Sequence, residues 1–192
     1  GGVRVESTKN DYLAYQWLVD EEGDGTLTQV TGDKSYTEWL PQFHLVYKTG
    51  NNSQLRAAVT RSLARPNFES MAPWRFIDFE EGEAEFGNPD LDVTTAWNLD
   101  LMWEKYLDPI GIISAGVFYK DLTDPIYAFT SDEVIDGEDI EVVTWRNGDK
   151  ATLTGLELAF QNQFTNWNGF WGGFGLYGNY TWVDSEANYF DR

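Results

Sequence analysis

The spacing of the connections constrains this chain more than any single residue does. Segments of half-alternating hydrophobicity are joined alternately by very short and very long connections. Turns of roughly 4 to 6 residues fall near 49–53, 108–110 and 165–169, and excursions of roughly 25 to 30 residues fall at 10–35, 64–92 and 122–149. An antiparallel wall with tight turns at one rim and long loops at the other is the architecture of an outer-membrane β-barrel.

The alternation predicts seven strands, at about 1–9, 37–48, 54–63, 94–107, 111–121, 150–164 and 170–184. In the last, Phe170, Phe174, Leu176, Tyr180 and Trp182 share one parity, while Tyr177, Asn179 and Thr181 share the other. Period two puts the two sets on opposite faces. From Phe170 to Trp182 such a strand would run about 40 Å, or roughly 30 Å across a bilayer at a tilt of about 40°. The fourth strand repeats the pattern. Trp97, Leu99, Leu101 and Trp103, interrupted at Lys105, oppose Asn98, Asp100, Met102 and Glu104. Trp97, Trp103, Phe170, Phe174, Tyr180 and Trp182 are therefore expected to face lipid. Arg4, Glu6, His44, Arg56, Asn98, Asp100, Glu104, Glu157 and Asn179 are expected to line a wet interior, because charges in a dry core would be costly. A soluble antiparallel sandwich explains alternation equally well. It does not explain strands of 12 to 15 residues or three structureless loops of this length.

Composition narrows the function. There is no cysteine and one histidine, so thiolate chemistry and histidine-rich metal clusters are excluded. Thirteen basic against 32 acidic residues give a formal charge of −19, which disfavours nucleic acid as a partner. Aromatics at 16% argue against disorder. No apolar run is long enough for a membrane-spanning helix and no leader opens the chain, so 1–192 reads as an interior piece of something longer. Seven strands is also an odd number, whereas single-chain barrels close on an even one.

Several phrases, in order, carry a family resemblance: LRAAVTRSLARPNF at 55–68, GNPDL at 87–91, AGVFYKD at 115–121, DPI at 124–126, GLELA at 155–159 and GNYTWVDS at 178–185. Together they resemble the barrel domain of TonB-dependent outer-membrane receptors. The resemblance implies about seven strands of a transmembrane barrel of about 22, with short periplasmic turns and long extracellular loops. It implies a plug domain and a TonB box elsewhere in the protein, and energy supplied by the TonB-ExbB-ExbD system. Outer-membrane lipid and lipopolysaccharide would surround the wall. The implied activity is active import of a scarce small-molecule nutrient, a siderophore, cobalamin or an oligosaccharide. A passive porin and a soluble carbohydrate-binding sandwich are the alternatives.

Loop aromatics are the expected ligand contacts, since flat rings stack on sugar faces or aryl groups. Trp74, Trp145, Tyr127 and Phe129 are the candidates, together with Arg65, which ends a strand beside Pro66. The acidic runs 78–86 and 131–141 read as solvated surface, where divalent cations could bridge carboxylates. No pair of carboxylates is placed for acid–base catalysis, and neither an enzymatic role nor a cofactor is expected.

Overall fold

In the computed structural model, described for residues 1–19, 25–165 and 167–189, eleven strands form one curled sheet. They are β1 (Gly2–Val19), β2 (Gly25–Gly50), β3 (Ser53–Ala64), β4 (Arg75–Asp78), β5 (Glu83–Phe86), β6 (Thr94–Leu107), β7 (Gly111–Thr123), β8 (Ile126–Ile135), β9 (Glu138–Asn147), β10 (Lys150–Gln163) and β11 (Gly175–Asn188). A single helical turn, α1 (Phe68–Met71), precedes β4. The order across the sheet is β11-β10-β7-β6-β3-β2-β1-β4-β5-β9-β8. Seven long strands thus make an antiparallel meander, and two short hairpins extend it through parallel pairings of β4 on β1 and of β5 on β9.

Eleven strands replace the seven expected, because the long excursions are folded. Most of 10–35 continues the β1–β2 ladder, which runs unbroken from Gly2↔Gln42 to Val19↔Gly25. Its tip at 20–24 lies outside the described residues. Apolar alternation is interrupted at the start of this stretch, where the outward positions Ser7, Lys9 and Asp11 are polar, and resumes at Leu13. The excursion 64–92 holds α1 and the β4–β5 hairpin, and 122–149 holds the β8–β9 hairpin. The latter turns on Asp136-Gly137, both at positive φ (52° and 96°), as a two-residue hairpin of this hand requires.

The connection before β11 also departs from expectation. It spans 164–174 rather than 165–169 and contains a 3₁₀ turn, Gly169–Gly173. Phe170 lies in that turn and Phe174 caps it, so neither belongs to the strand. Their rings pack together at 4.9 Å, and Phe164 stacks on Trp167 at 4.4 Å. Alternating aromatics and glycines suit such a knot as well as a strand, which is why parity alone misplaced them. The apolar run of β11 is accordingly shorter than a strand starting at Phe170 would give. Leu176 to Trp182 covers about 20 Å.

The two faces of the meander are chemically opposite. One row crosses six strands as Leu45, Ala57, Leu101, Val117, Leu156 and Trp182. The adjacent row reads Val46, Arg56, Met102, Gly116, Glu157 and Thr181. The apolar side is the exposed one: Phe43, Leu99, Leu101 and Tyr180 all lie open, Leu99 at 52%. Lys105, which interrupts this side, sends its ammonium to the Asn51 carbonyl in the adjoining turn (3.0 Å), and the Trp103 indole N–H donates to Ser53 Oγ (3.0 Å). A soluble sandwich would bury this face under a second sheet, and among the described residues none covers it. The dry core is small and lies in the added hairpins, where Ile77, Ala84, Ile140 and Val142 pack with Phe79, Phe86 and Ile135.

Candidate functional site

The polar face carries a hydrogen-bonded lining. Glu104, 9% exposed, accepts from Gln54 Nε2 (2.6 Å), Arg56 Nε (3.0 Å) and the Tyr106 hydroxyl (2.9 Å). The Asn98 amide donates to Ser62 Oγ at 3.1 Å. His44, Asp100 and Gly155 share one row of this face, and Glu157 and Asn179 share its parity. Near the rim with the long connections, Glu6 pairs with both Arg4 and Arg65. Arg65 is therefore held by the wall.

The five expected ligand contacts fall in three places. Arg65 and Trp145 meet in a cleft of 360 Å³ whose other walls include Asn67, Thr94, Pro125 and Ile126. Tyr127 and Phe129 lie on the opposite side of the β8–β9 hairpin, since Tyr127 is opposite Arg146 and Ala128 opposite Trp145. There the Arg146 guanidinium sits 3.7 Å from the Phe129 ring centroid, and Tyr127 packs on Tyr189 at 4.5 Å. Trp74 lines neither of these places, and its indole N–H donates to the Glu69 carbonyl at 2.7 Å.

Sequence reasoning missed a second crevice, of 260 Å³, which opens where β2 parts from β3 above the Gln42↔Thr60 pair. Arg61 spans it, reaching Glu38 (2.8 Å) and the Trp39 carbonyl (2.9 Å). Lys34 binds Asp92 (2.7 Å) and the Asp90 carbonyl (2.6 Å) from the other side. No local motif announces this crevice, because it is assembled from four separated stretches. Burial, then the nearby charges of Asp92, Asp149 and Glu38, push the Asp124 carboxyl up from its usual range. A carboxyl whose pKa is raised by folding favours the folded state as pH falls, and that contribution is lost as pH rises through the folded value. Asp124→Asn should therefore give a small rise in the thermal midpoint of the full protein at neutral pH and a smaller gain on acidification. Asparagine also tolerates the positive φ of 57° at this position. An equal or lower midpoint at neutral pH would contradict this.

The acidic runs come together in the hairpins. Asp78, Glu83, Glu141 and Asp132 stand opposite one another across β4, β5, β9 and β8. Among the described residues, no group of three or more side chains is arranged to hold a metal ion.

A wall apolar and exposed outside, polar inside, with short connections at one rim and folded hairpins at the other, is a β-barrel membrane wall. Comparison with known proteins agrees. The family described as "TonB dependent receptor-like, beta-barrel" matches residues 1–192, and the chain belongs to it, a family of outer-membrane proteins. Among solved structures, the siderophore receptor PirA from Pseudomonas aeruginosa aligns with TM-score 0.58 and 18% identity, covering 83% of this chain and 28% of that one. A mutant of the ferric enterobactin receptor PfeA of the same organism gives TM-score 0.60 and 19% identity, covering 82% and 24%. PirA from Acinetobacter baumannii gives 0.52 and 19%, covering 84% and 26%. The chain thus spans about a quarter of the receptors it resembles, and at these identities the likeness concerns the fold. No curated protein matches by sequence.

Proposed function

We propose that these residues form part of the barrel wall of an energised importer that brings a scarce nutrient across the bacterial outer membrane. The observation that carries the reading is the cleft shared by Arg65 and Trp145, at the end of the polar face where the long hairpins fold. A barrel of about 22 strands with a plugged lumen is the architecture this wall suits. The plug and the site that meets the TonB-ExbB-ExbD system then lie elsewhere in the same protein. The structural neighbours are named as siderophore receptors, which favours a siderophore over cobalamin or an oligosaccharide as cargo. In this reading Trp145 offers a ring face to the ligand, and Arg65 offers guanidinium N–H groups beyond those held by Glu6.

Binding of a panel of ferric siderophores, cobalamin and oligosaccharides to the full receptor tests this. Trp145→Ala and Arg65→Ala should each weaken the bound cargo by about tenfold, or roughly 1.4 kcal/mol. Phe129→Ala, on the other side of the hairpin, should leave affinity nearly unchanged. Uptake that continues without the energy-transducing system would mean a passive porin instead.

A further inference from the structure

The outward face of the β1–β2 hairpin is banded. Val3 and Val5, opposite Pro41 and Trp39, belong to the lipid-facing belt. A polar band follows: Thr37 Oγ1 donates to Ser7 Oγ at 3.1 Å, Lys9 pairs with Asp11 at 3.2 Å, and Asp11 faces Asp33. Beyond it the same parity turns apolar again with Leu13, Tyr15 and Trp17, and with Leu27 opposite Trp17. All four are exposed, Leu13 at 60% and Leu27 at 57%. Phe76, paired with Trp17 across the parallel β1–β4 contact, extends the patch and is exposed as well.

Leu13 lies eight residues past Val5, about 26 Å along the strand, so bilayer hydrocarbon does not reach this second patch. Nor do the inner hairpin contacts cover it. α1 packs on the opposite parity, where the Tyr12 hydroxyl meets Met71 Sδ at 2.7 Å. An apolar patch of this kind, outside the membrane and rimmed by polar groups, marks an interaction surface. Its aromatic members are the residue types that dominate binding energy at interfaces.

Charge specifies the partner. Phe76 also borders a cleft of 370 Å³ walled by Asp78, Glu81, Glu83, Glu85 and Glu141. Among the described residues, none of these five makes an ion pair with Lys or Arg. We propose that Leu13, Tyr15, Trp17, Leu27 and Phe76 dock a protein partner that presents apolar side chains flanked by Lys or Arg. The apolar groups seat on the patch, and the cations lie over the neighbouring carboxylates. The phosphates of lipopolysaccharide have the wrong sign for this surface, as does a second copy of this acidic chain. The inference rests on the proposed barrel wall, in which the Leu101 row meets lipid, so its test carries a separate check on that row.

The full receptor in nanodiscs is titrated with a synthetic Lys/Leu/Trp peptide and with a Lys/Ser peptide of equal length and charge. The first should bind at least about tenfold more tightly than the second. The Leu13→Ser/Leu27→Ser variant should lose about tenfold in affinity for it, and Glu83→Gln/Glu141→Gln should weaken binding and reduce its salt dependence. Tyr15→Cys should react with a membrane-impermeant maleimide and be protected by the Lys/Leu/Trp peptide. Leu101→Cys should stay unlabelled throughout, and its labelling would fault the barrel orientation rather than the patch. Equal binding of the two peptides, or an unchanged affinity in either double variant, overturns the proposal. So does a Tyr15→Cys that is unreactive in the free receptor, or one protected by lipopolysaccharide and not by the peptide.

Discussion

Leu101→Arg should prevent stable insertion of the receptor, whereas Asp100→Arg, one residue away, should be tolerated. Leu101 lies in the middle of the apolar row that crosses six strands, between the Trp97 and Trp103 rows, and is 44% exposed on the face that meets lipid. Arginine near the bilayer midplane costs about 2–4 kcal/mol on the lipid side of such a wall, and its side chain would have to snorkel about 10 Å to reach an interface. Asp100 projects to the polar face, where a long cation finds water and carboxylates. The heat-modifiable band shift of folded barrel, with urea unfolding in liposomes, reads the difference. Similar destabilisation by both substitutions would mean that the Leu101 face does not meet lipid.

Gly87→Ala should release the segment that carries α1 and β4 from the rest of the cap. A β-carbon at Gly87 would stand 1.9 Å from the Ala72 carbonyl oxygen, a backbone atom that cannot swing aside. The Gly87 N–H meanwhile donates to the Trp74 carbonyl at 3.0 Å. Its neighbour Asn88 ties the same segment to β9, through its N–H to the Ser70 carbonyl (2.7 Å) and its side-chain amide to the Trp145 carbonyl (2.8 Å). Forcing this junction apart should cost about 3 kcal/mol, expressed locally as protease cleavage between 65 and 93 and, if the proposed cargo site is right, as weakened binding at the Arg65–Trp145 cleft. Gly50→Ala is the control, because an added carbon there meets nothing within 4 Å. Unchanged protease resistance in Gly87→Ala would contradict the close approach.

How much of this was legible in the chain depends on where each residue sits relative to the membrane. Within the belt, lipid on one side and water on the other force strict alternation, so β3, β6, β7 and β10 read directly from parity. Above the belt both faces meet water or protein. There the ladder from Lys9↔Ser35 upward passes through a polar band, Lys9, Asp11 and Asp33, that breaks the apolar alternation before it resumes at Leu13. The β8–β9 hairpin did leave one, in Asp136-Gly137 between two β-rich runs, and its turn chemistry would have found it. The β4–β5 hairpin is subtler. Asp78 Oδ1 accepts from the N–H groups of Glu80 and Glu81 (3.0 and 3.1 Å), and Gly82 closes the loop at φ 70°. In sequence this turn is hidden inside what reads as an acidic run.

The candidate site was legible in its residue types and not in its assembly. Residue type and loop position nominated Trp145 and Arg65. Nothing local indicates that Tyr127 and Phe129 fall on the other side of their hairpin. That follows from the β8–β9 register, which depends on the turn. Nor does the acidic composition foretell that Arg65 pairs with Glu6, 59 positions away, since the pairing arises from the β1–β2–β3 order of the wall.

In a structure of the full receptor in lipid nanodiscs, about 22 strands should surround a folded plug, with Leu99, Leu101 and Val117 against lipid and the Arg65–Trp145 cleft opening above the plug. An open lumen, or a water-soluble assembly that buries the Leu101 row against a second sheet, would contradict the proposed plugged barrel.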